Sequence, residues 1–228
     1  MSPAAGGVKV ERQVLAGYID HTLLKPDATG AQIKQLCDEA LEHSFRAVCV
    51  NSRWVGLCAE RLAGSAVAAA VTVGFPLGAV DSGIKAAEAA FAVEWGAAEL
   101  DMVIDIGAAR EGEYSRVCDD IAAVRRAAGS QAVLKVIVET ALLSDEQIVR
   151  VCGAAEDAGA NMVKTSTGFA GGATVEHVAL LRRSVSDSLG VKASGGIRTY
   201  DQALAMIEAG ATRIGTSAGA AILQAAPG

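Results

Sequence analysis

Residues 144–168 read SDEQIVRVCGAAEDAGANMVKTSTG, and the order of signals in that stretch decides the fold. Ser144 followed by Gln147 has the spacing of a capping box, in which the two side chains satisfy backbone N–H groups that the first helical turn leaves free. An amphipathic run over 145–158 follows and stops at Gly159, a residue that takes the left-handed conformation of a helix end without steric cost. A short apolar run over 162–165 comes next, with a lysine, Lys164, in its middle. One helix, one glycine stop and one strand make a module.

The module recurs in both directions. Glu94-Trp95-Gly96-Ala97, Asp157-Ala158-Gly159-Ala160 and Glu208-Ala209-Gly210-Ala211 share the helix-ending glycine, and Glu42-His43-Ser44-Phe45 has serine in the glycine slot. Two further capping boxes open helices, Thr29 with Gln32 and Thr199 with Gln202. The periodicity predicts strands over 18–23, 47–50, 67–73, 99–104, 133–138, 162–165, 191–193 and 213–215. It predicts helices over 31–43, 54–62, 82–95, 114–128, 145–158, 175–186 and 200–209, and a short one after Ser217. Strand then helix, eight times over, is the pattern of an α/β chain closed into a (βα)8 barrel, here with a short N-terminal helical extension. The 228 residues match the usual size of such a barrel, so residues 1–228 are read as one domain.

Composition narrows the function. Apolar residues make up 51% and aromatics only 4%, so Ala, Val, Leu and Ile must build the core. No apolar run reaches the ~18 residues of a membrane span, and no basic segment followed by an apolar stretch marks a secretory signal. A net charge of −6 without a basic block speaks against nucleic acid. Cys37, Cys49, Cys58, Cys118 and Cys152 are scattered and odd in number, which reads as a reduced, cytoplasmic protein. Apart from Cys49, they read as small buried hydrophobes. The three histidines, His21, His43 and His177, lie far apart, and no metal site is expected. His43 and His177 read as surface helix residues; His21, next to Asp20, has the chemistry of a ligand or a base, and reads first as a hydrogen-bonding support for the site.

The repeat also picks out side chains. Five residues past the glycine slot stand Cys49, Asp101, Lys164 and Gly215, on strands two, four, six and eight. Alternate strands of such a barrel share an interior layer, so these four residues are expected to face inward together. Asp20, Lys135 and Lys192, on strands one, five and seven, form a companion set. Lys9, Lys25, Lys34 and Lys85 lie in helical or loop contexts, where a solvated charge is expected. Lys135, Lys164 and Lys192 lie in apolar strands, where burial costs several kcal/mol unless the ammonium is paired. Three ammonium groups facing one or two carboxylates stabilise a core poorly but favour a neutral amine, which is what attack on a carbonyl needs. The alternative is an ion-pair network that only sets register. Glycine-rich turns after strands six, seven and eight (Gly168; Gly195 and Gly196; Gly215 with Ser217) are expected to bring backbone N–H groups close to a phosphate; each turn alone would also suit a plain loop.

At these residues the chain resembles the deoxyribose-phosphate aldolase family, from about Gln13 to Ile222. The resemblance is carried by Ile19-Asp20-His21-Thr22-Leu23-Leu24-Lys25-Pro26, Val48-Cys49-Val50-Asn51, Gly74-Phe75-Pro76-Leu77-Gly78, Glu99-Leu100-Asp101-Met102-Val103, Leu134-Lys135-Val136-Ile137, Val163-Lys164-Thr165-Ser166-Thr167-Gly168-Phe169, Lys192-Ala193-Ser194-Gly195-Gly196-Ile197-Arg198 and Arg213-Ile214-Gly215-Thr216-Ser217. It implies a class I aldolase that reversibly cleaves 2-deoxy-D-ribose 5-phosphate to D-glyceraldehyde 3-phosphate and acetaldehyde, in deoxyribose phosphate catabolism. Lys164 would form the Schiff base, so no cofactor is needed. Lys192 would perturb its protonation or move protons, and Asp101 would be the proton donor and acceptor. Asp20, Thr22, Cys49 and Lys135 would form the surrounding polar shell. The implied partners are phosphorylated sugars and aldehydes, with a second copy of the chain in a homo-oligomer (dimer or tetramer). Phe169 stands where some members have a lysine, and the chain ends at Ala225-Ala226-Pro227-Gly228 where some have a tail ending in tyrosine. Another Schiff-base aldolase with a larger donor, and a non-catalytic sugar-phosphate sensor, are the competing readings.

Overall fold

A computed structural model describes residues 10–227. Eight parallel strands close into a barrel in sequence order: β1 (Ile19–Leu23), β2 (Ala47–Val50), β3 (Ala68–Val73), β4 (Glu99–Val103), β5 (Val133–Ile137), β6 (Met162–Lys164), β7 (Gly190–Ser194) and β8 (Arg213–Thr216). Pairing of β8 with β1, Asp20 opposite Gly215, completes the ring. The outer layer is α2 (Gly30–Glu42), α3 (Val55–Arg61), α4 (Ser82–Glu94), α6 (Tyr114–Ala128), α7 (Asp145–Asp157), α8 (Val175–Ser184), α9 (Tyr200–Glu208) and α10 (Gly219–Gln224); the short α1 (Arg12–Ala16) precedes β1. One more helix, α5 (Ile106–Glu111), interrupts the connection after β4; its single turn and a half was too short to register as a period.

The local signals act as expected. All three capping boxes are formed, at Thr29, Ser144 and Thr199. Gly96, Gly159 and Gly210 are left-handed, and Ser44 holds the same conformation at φ 54° despite its Cβ, so the fourth copy of the repeat is real in the backbone. The main core is the ring between sheet and helices, where Leu100, Met102, Leu134, Val136, Val163 and Val191 pack outward against Ile121, Val124, Ile148, Val151, Val178 and Leu181. Inside the barrel the packing differs. Ala47, Cys49 and Ala70 form a small separate apolar cluster on β2 and β3. Barrel interiors are usually filled by bulky branched residues; here small ones leave volume for long charged chains from β4, β5, β7 and β8.

Candidate active site

Register brings the charged residues together. Asp101 lies opposite Lys135, and Lys164 opposite Lys192. In parallel strands such partners point to the same side, so these four converge on the barrel axis. The Lys164 Nζ donates to Asp101 Oδ2 at 2.7 Å, and the Lys192 Nζ donates to the same oxygen at 2.7 Å. Lys192 also donates to Asp20 Oδ2. Lys135 Nζ reaches Asp101 Oδ1 at 2.7 Å, Glu99 Oε2 at 2.6 Å and Asp20 Oδ2 at 3.5 Å. Cys49 Sγ lies 3.8 Å from Asp101 Oδ2. The inward layer of Cys49, Asp101 and Lys164 is therefore formed, and the odd-strand set of Asp20, Lys135 and Lys192 interlocks with it. Gly215 takes part by its lack of a side chain: a Cβ there would stand 3.0 Å from Lys192 Cε and 2.9 Å from Ser194 Cβ.

The network is larger than the sequence suggested. Arg213 on β8 is buried and donates to Asp20 Oδ1 at 2.6 Å and to Glu99 Oε2 at 3.1 Å. Four cations thus face three carboxylates among the described residues, where three amines against one or two acids were expected. Arg213 and Glu99 open their strands, and a charge at a strand end reads as solvated; only closure of the barrel folds these two beneath Asp20. A second correction concerns Lys85 on α4. Instead of being solvated it is fully buried, and its Nζ meets Asp120 of α6 at 2.6 Å. Lys25 is exposed, as expected, and Lys9 lies outside the described residues.

Burial and charge act against each other at every group. Burial pushes the Asp101 carboxyl up, but Lys135, Lys164 and Lys192 outweigh it and hold the group well below the usual carboxylate range. Asp20 is likewise lowered against its burial, by Lys192, Lys135 and Arg213. Burial lowers Lys192 and Lys135, yet the facing carboxylates raise both, so these ammonium groups keep their protons. The Cys49 thiol is pushed up by burial and by Asp101, and stays neutral.

A cleft of about 280 Å³ opens at the carboxyl ends of the strands, where barrel enzymes carry their sites. Lys164 is the one member of the charged cluster in its wall; Asp101, Lys192, Lys135, Asp20 and Cys49 lie beneath. Thr22, Gly168, Gly195, Gly196, Gly215 and Ser217 line it, so all the expected glycine turns meet on one cavity. Gly195, at φ 91°, must be glycine, since a Cβ there would come within 2.9 Å of Gly172 Cα and 3.2 Å of Gly168 Cα. That contact stacks the turn after β7 on the turn after β6. Lys25 and Arg198, both exposed, add positive charge at the rim.

One support carries no local signal in the sequence. Glu139, buried and left-handed at φ 57°, accepts from the backbone N–H of Thr167 at 3.3 Å and from its hydroxyl, and so holds the Thr165-Ser166-Thr167-Gly168 turn. Phe169 meets Phe75 edge to face at 5.4 Å between ring centroids, beside the cleft. His21 points away from the axis; its Nε2 bonds Glu39 Oε2 at 2.7 Å, pinning α2 to β1 and supporting the site only from behind. His43 and His177 are half-buried rather than fully on the surface. The cysteines are all free; Cys118 is half-buried and the other four are buried.

The model of the DeoC/LacD family of aldolases matches residues 14–225. The chain belongs to that family. Deoxyribose-phosphate aldolases from Brevibacillus brevis (strain 47) and Streptococcus sanguinis (strain SK36) are each 56% identical to it, over 92% of this chain and 95% of the first relative and over 91% and 94% for the second. A solved tetrameric deoxyribose phosphate aldolase from Aeropyrum pernix superposes with a TM-score of 0.84 at 33% identity, covering 93% of this chain and 91% of that one. DeoC/LacD membership makes the chain an aldolase, a carbon–carbon lyase. No helix among the described residues is long and apolar enough to cross a membrane.

Proposed function

We propose that this DeoC/LacD aldolase is a class I enzyme that reversibly cleaves 2-deoxy-D-ribose 5-phosphate to D-glyceraldehyde 3-phosphate and acetaldehyde, with Lys164 as the Schiff-base residue. One observation carries the assignment: of the three strand lysines, Lys164 alone lines the cleft, and the glycine turns line the same cleft. A volume of about 280 Å³ has room for a five-carbon sugar phosphate.

The chemistry follows from the arrangement. The neutral Nζ of Lys164 attacks the aldehyde carbon, and loss of water gives an iminium. The 3-hydroxyl proton is removed and the C2–C3 bond breaks. Its electron pair moves toward the iminium nitrogen, leaving an enamine on Lys164 and releasing glyceraldehyde 3-phosphate. Protonation at C2 and addition of water release acetaldehyde and restore the amine. Asp101 does not reach the cleft wall and is held ionised, so it relays the proton through a water rather than touching the hydroxyl itself. Positioned proton transfer of this kind contributes about 10²–10⁴ in rate. Thr22, with its hydroxyl on the Asp20 carbonyl at 2.8 Å, shapes the wall beside Lys164. The turns containing Gly168, Gly195, Gly196 and Ser217, with Lys25 and Arg198 at the rim, hold the phosphate and orient the chain remotely.

The iminium supplies the electron sink, so no metal or cofactor is assigned. Borohydride reduction in the presence of acetaldehyde, followed by mass spectrometry, will place the label on the peptide containing Val163-Lys164-Thr165; label on Lys135 or Lys192 overturns the assignment. Exhaustive chelation will leave the rate intact, and a loss restored by zinc would replace the class I reading. We assign the protein to the cytoplasm and to a homo-oligomer (dimer or tetramer), the latter measurable by light scattering.

A further inference from the structure

The buried charges form a ladder along the barrel axis, and its rungs are not equal. Arg213 and Glu99, at the amino ends of β8 and β4, are the lowest. Above them, Asp20, Lys135, Lys192 and Asp101 interlock, and Lys164, the last residue of β6, is the top. Arg213 touches two carboxylates, Asp20 and Glu99. Lys135 touches all three. Lys192 touches Asp20 and Asp101. Lys164 touches only Asp101, on an oxygen it shares with Lys192. Three carboxylates balance three cations, and a guanidinium does not give up its proton. The cation left without a carboxylate of its own is therefore Lys164.

We infer that Arg213 and Glu99 are positioning residues that set the charge of Lys164 from the opposite end of the barrel, Arg213 by occupying carboxylate charge that would otherwise hold Lys164 as an ammonium, and Glu99 by opposing it. The inference rests on Lys164 being the Schiff-base residue. Other ionisable groups near the ladder do not alter the count. Cys49, against Asp101, is a neutral thiol. Arg46 reaches Glu99 only at 4.0 Å from a side chain 54% exposed, where water screens it. Lys25 and Arg198, at the cleft rim, are exposed to solvent.

The signs are opposite for the two residues, which a merely structural role would not produce. Arg213→Met leaves three carboxylates to three lysines, so Lys164 is held protonated and the acid limb of Schiff-base formation moves to higher pH. Glu99→Gln leaves two carboxylates to four cations, so the limb moves to lower pH. The double variant restores an excess of one cation and returns the limb toward that of the unmodified protein. Arg213→Lys keeps the charge and keeps the limb in place even where the rate falls. A buried unit charge at this remove moves a titration by on the order of one pH unit at an effective dielectric of about 20.

The experiment is the pH dependence of iminium formation with acetaldehyde alone, trapped by borohydride in single-turnover samples and localised by mass spectrometry. Acetaldehyde carries no phosphate whose own titration would intrude. Failure to label Lys164 in the unmodified protein defeats the Schiff-base reading. Labelling of Lys164 with limbs that coincide in all variants, or that move in the same direction for Arg213→Met and Glu99→Gln, overturns the inference while leaving that reading intact. If Arg213→Met does not fold, as a thermal melt will show, Glu99→Gln decides: a limb moved to lower pH supports the inference and an unmoved one overturns it.

Discussion

Lys192→Leu is the most informative single change near the cleft. The two amines, of Lys164 and Lys192, each lie 2.7 Å from the same Asp101 oxygen, so they stand no more than twice that distance, 5.4 Å, apart. Two unit charges at that separation repel by about 3 kcal/mol at an effective dielectric of about 20. At 1.36 kcal/mol per unit this is worth about two pH units. The facing carboxylates raise Lys192 above its ordinary range, so its charge is present throughout the working pH range. Leucine preserves the burial and removes only the charge. Protonated Lys164 is then no longer repelled, while Asp101 still attracts it. The acid limb of the cleavage rate should move up by about two pH units, with a loss of about 100-fold at neutral pH that recovers as pH rises. The assay is initial-rate cleavage of 2-deoxyribose 5-phosphate from about pH 6 to about pH 10, with circular dichroism to confirm folding. A loss of equal size at every pH would refute the electrostatic argument and make Lys192 a direct proton carrier or substrate contact.

Gly195→Ala should push apart the stacked turns, because its Cβ has only backbone within 3.2 Å; KM for the phosphorylated sugar should rise on the order of tenfold while acetaldehyde trapping on Lys164 persists, and unchanged KM would remove Gly195 from the phosphate site. Ser44→Gly relieves a left-handed serine and should stabilise the fold by about 0.5 kcal/mol, seen as a melting point higher by about 1–2 °C; a lower melting point would show that serine contributes something there. Asp20 and Asp101 are held ionised below the usual range, so the stability they confer is present above about pH 4 and lost as pH falls through their folded values. Urea midpoints between about pH 4 and pH 2 should therefore fall more steeply for the unmodified protein than for Asp101→Asn, and equal slopes would disprove the linkage.

How much of this was legible beforehand differs by residue. The barrel was, because each signal for it is local. Capping boxes at Thr29, Ser144 and Thr199, glycine stops at Gly96, Gly159 and Gly210, and apolar runs of strand length are all properties of a few consecutive residues. The repeat even carried Ser44 into a conformation that serine disfavours. Lys135, Lys164 and Lys192 were legible too, since an ammonium inside an apolar strand declares its own cost. The glycine turns could be assigned to one cavity because the order of strands around a parallel barrel follows the order of the chain.

The tertiary structure alone decided the rest. Arg213 and Glu99 lie at strand ends, where a charge gives no sign of burial; they are buried because β8 closes on β1 and encloses both beneath Asp20. Lys85 has the spacing of a surface helix residue, and only the packing of α4 on α6 places its amine on Asp120. Glu139 became a support when the turn after β6 crossed it. Periodicity treats the three strand amines alike, and only the family motif singles out Lys164; depth along the barrel axis separates them, since Lys164 is last in its strand and lines the cleft, whereas Lys135 and Lys192 lie beneath it. Periodicity records which side of an element is covered. The identity of the covering group, and the balance of charge across the barrel, come from residues far apart in the chain that meet only when the ring is complete.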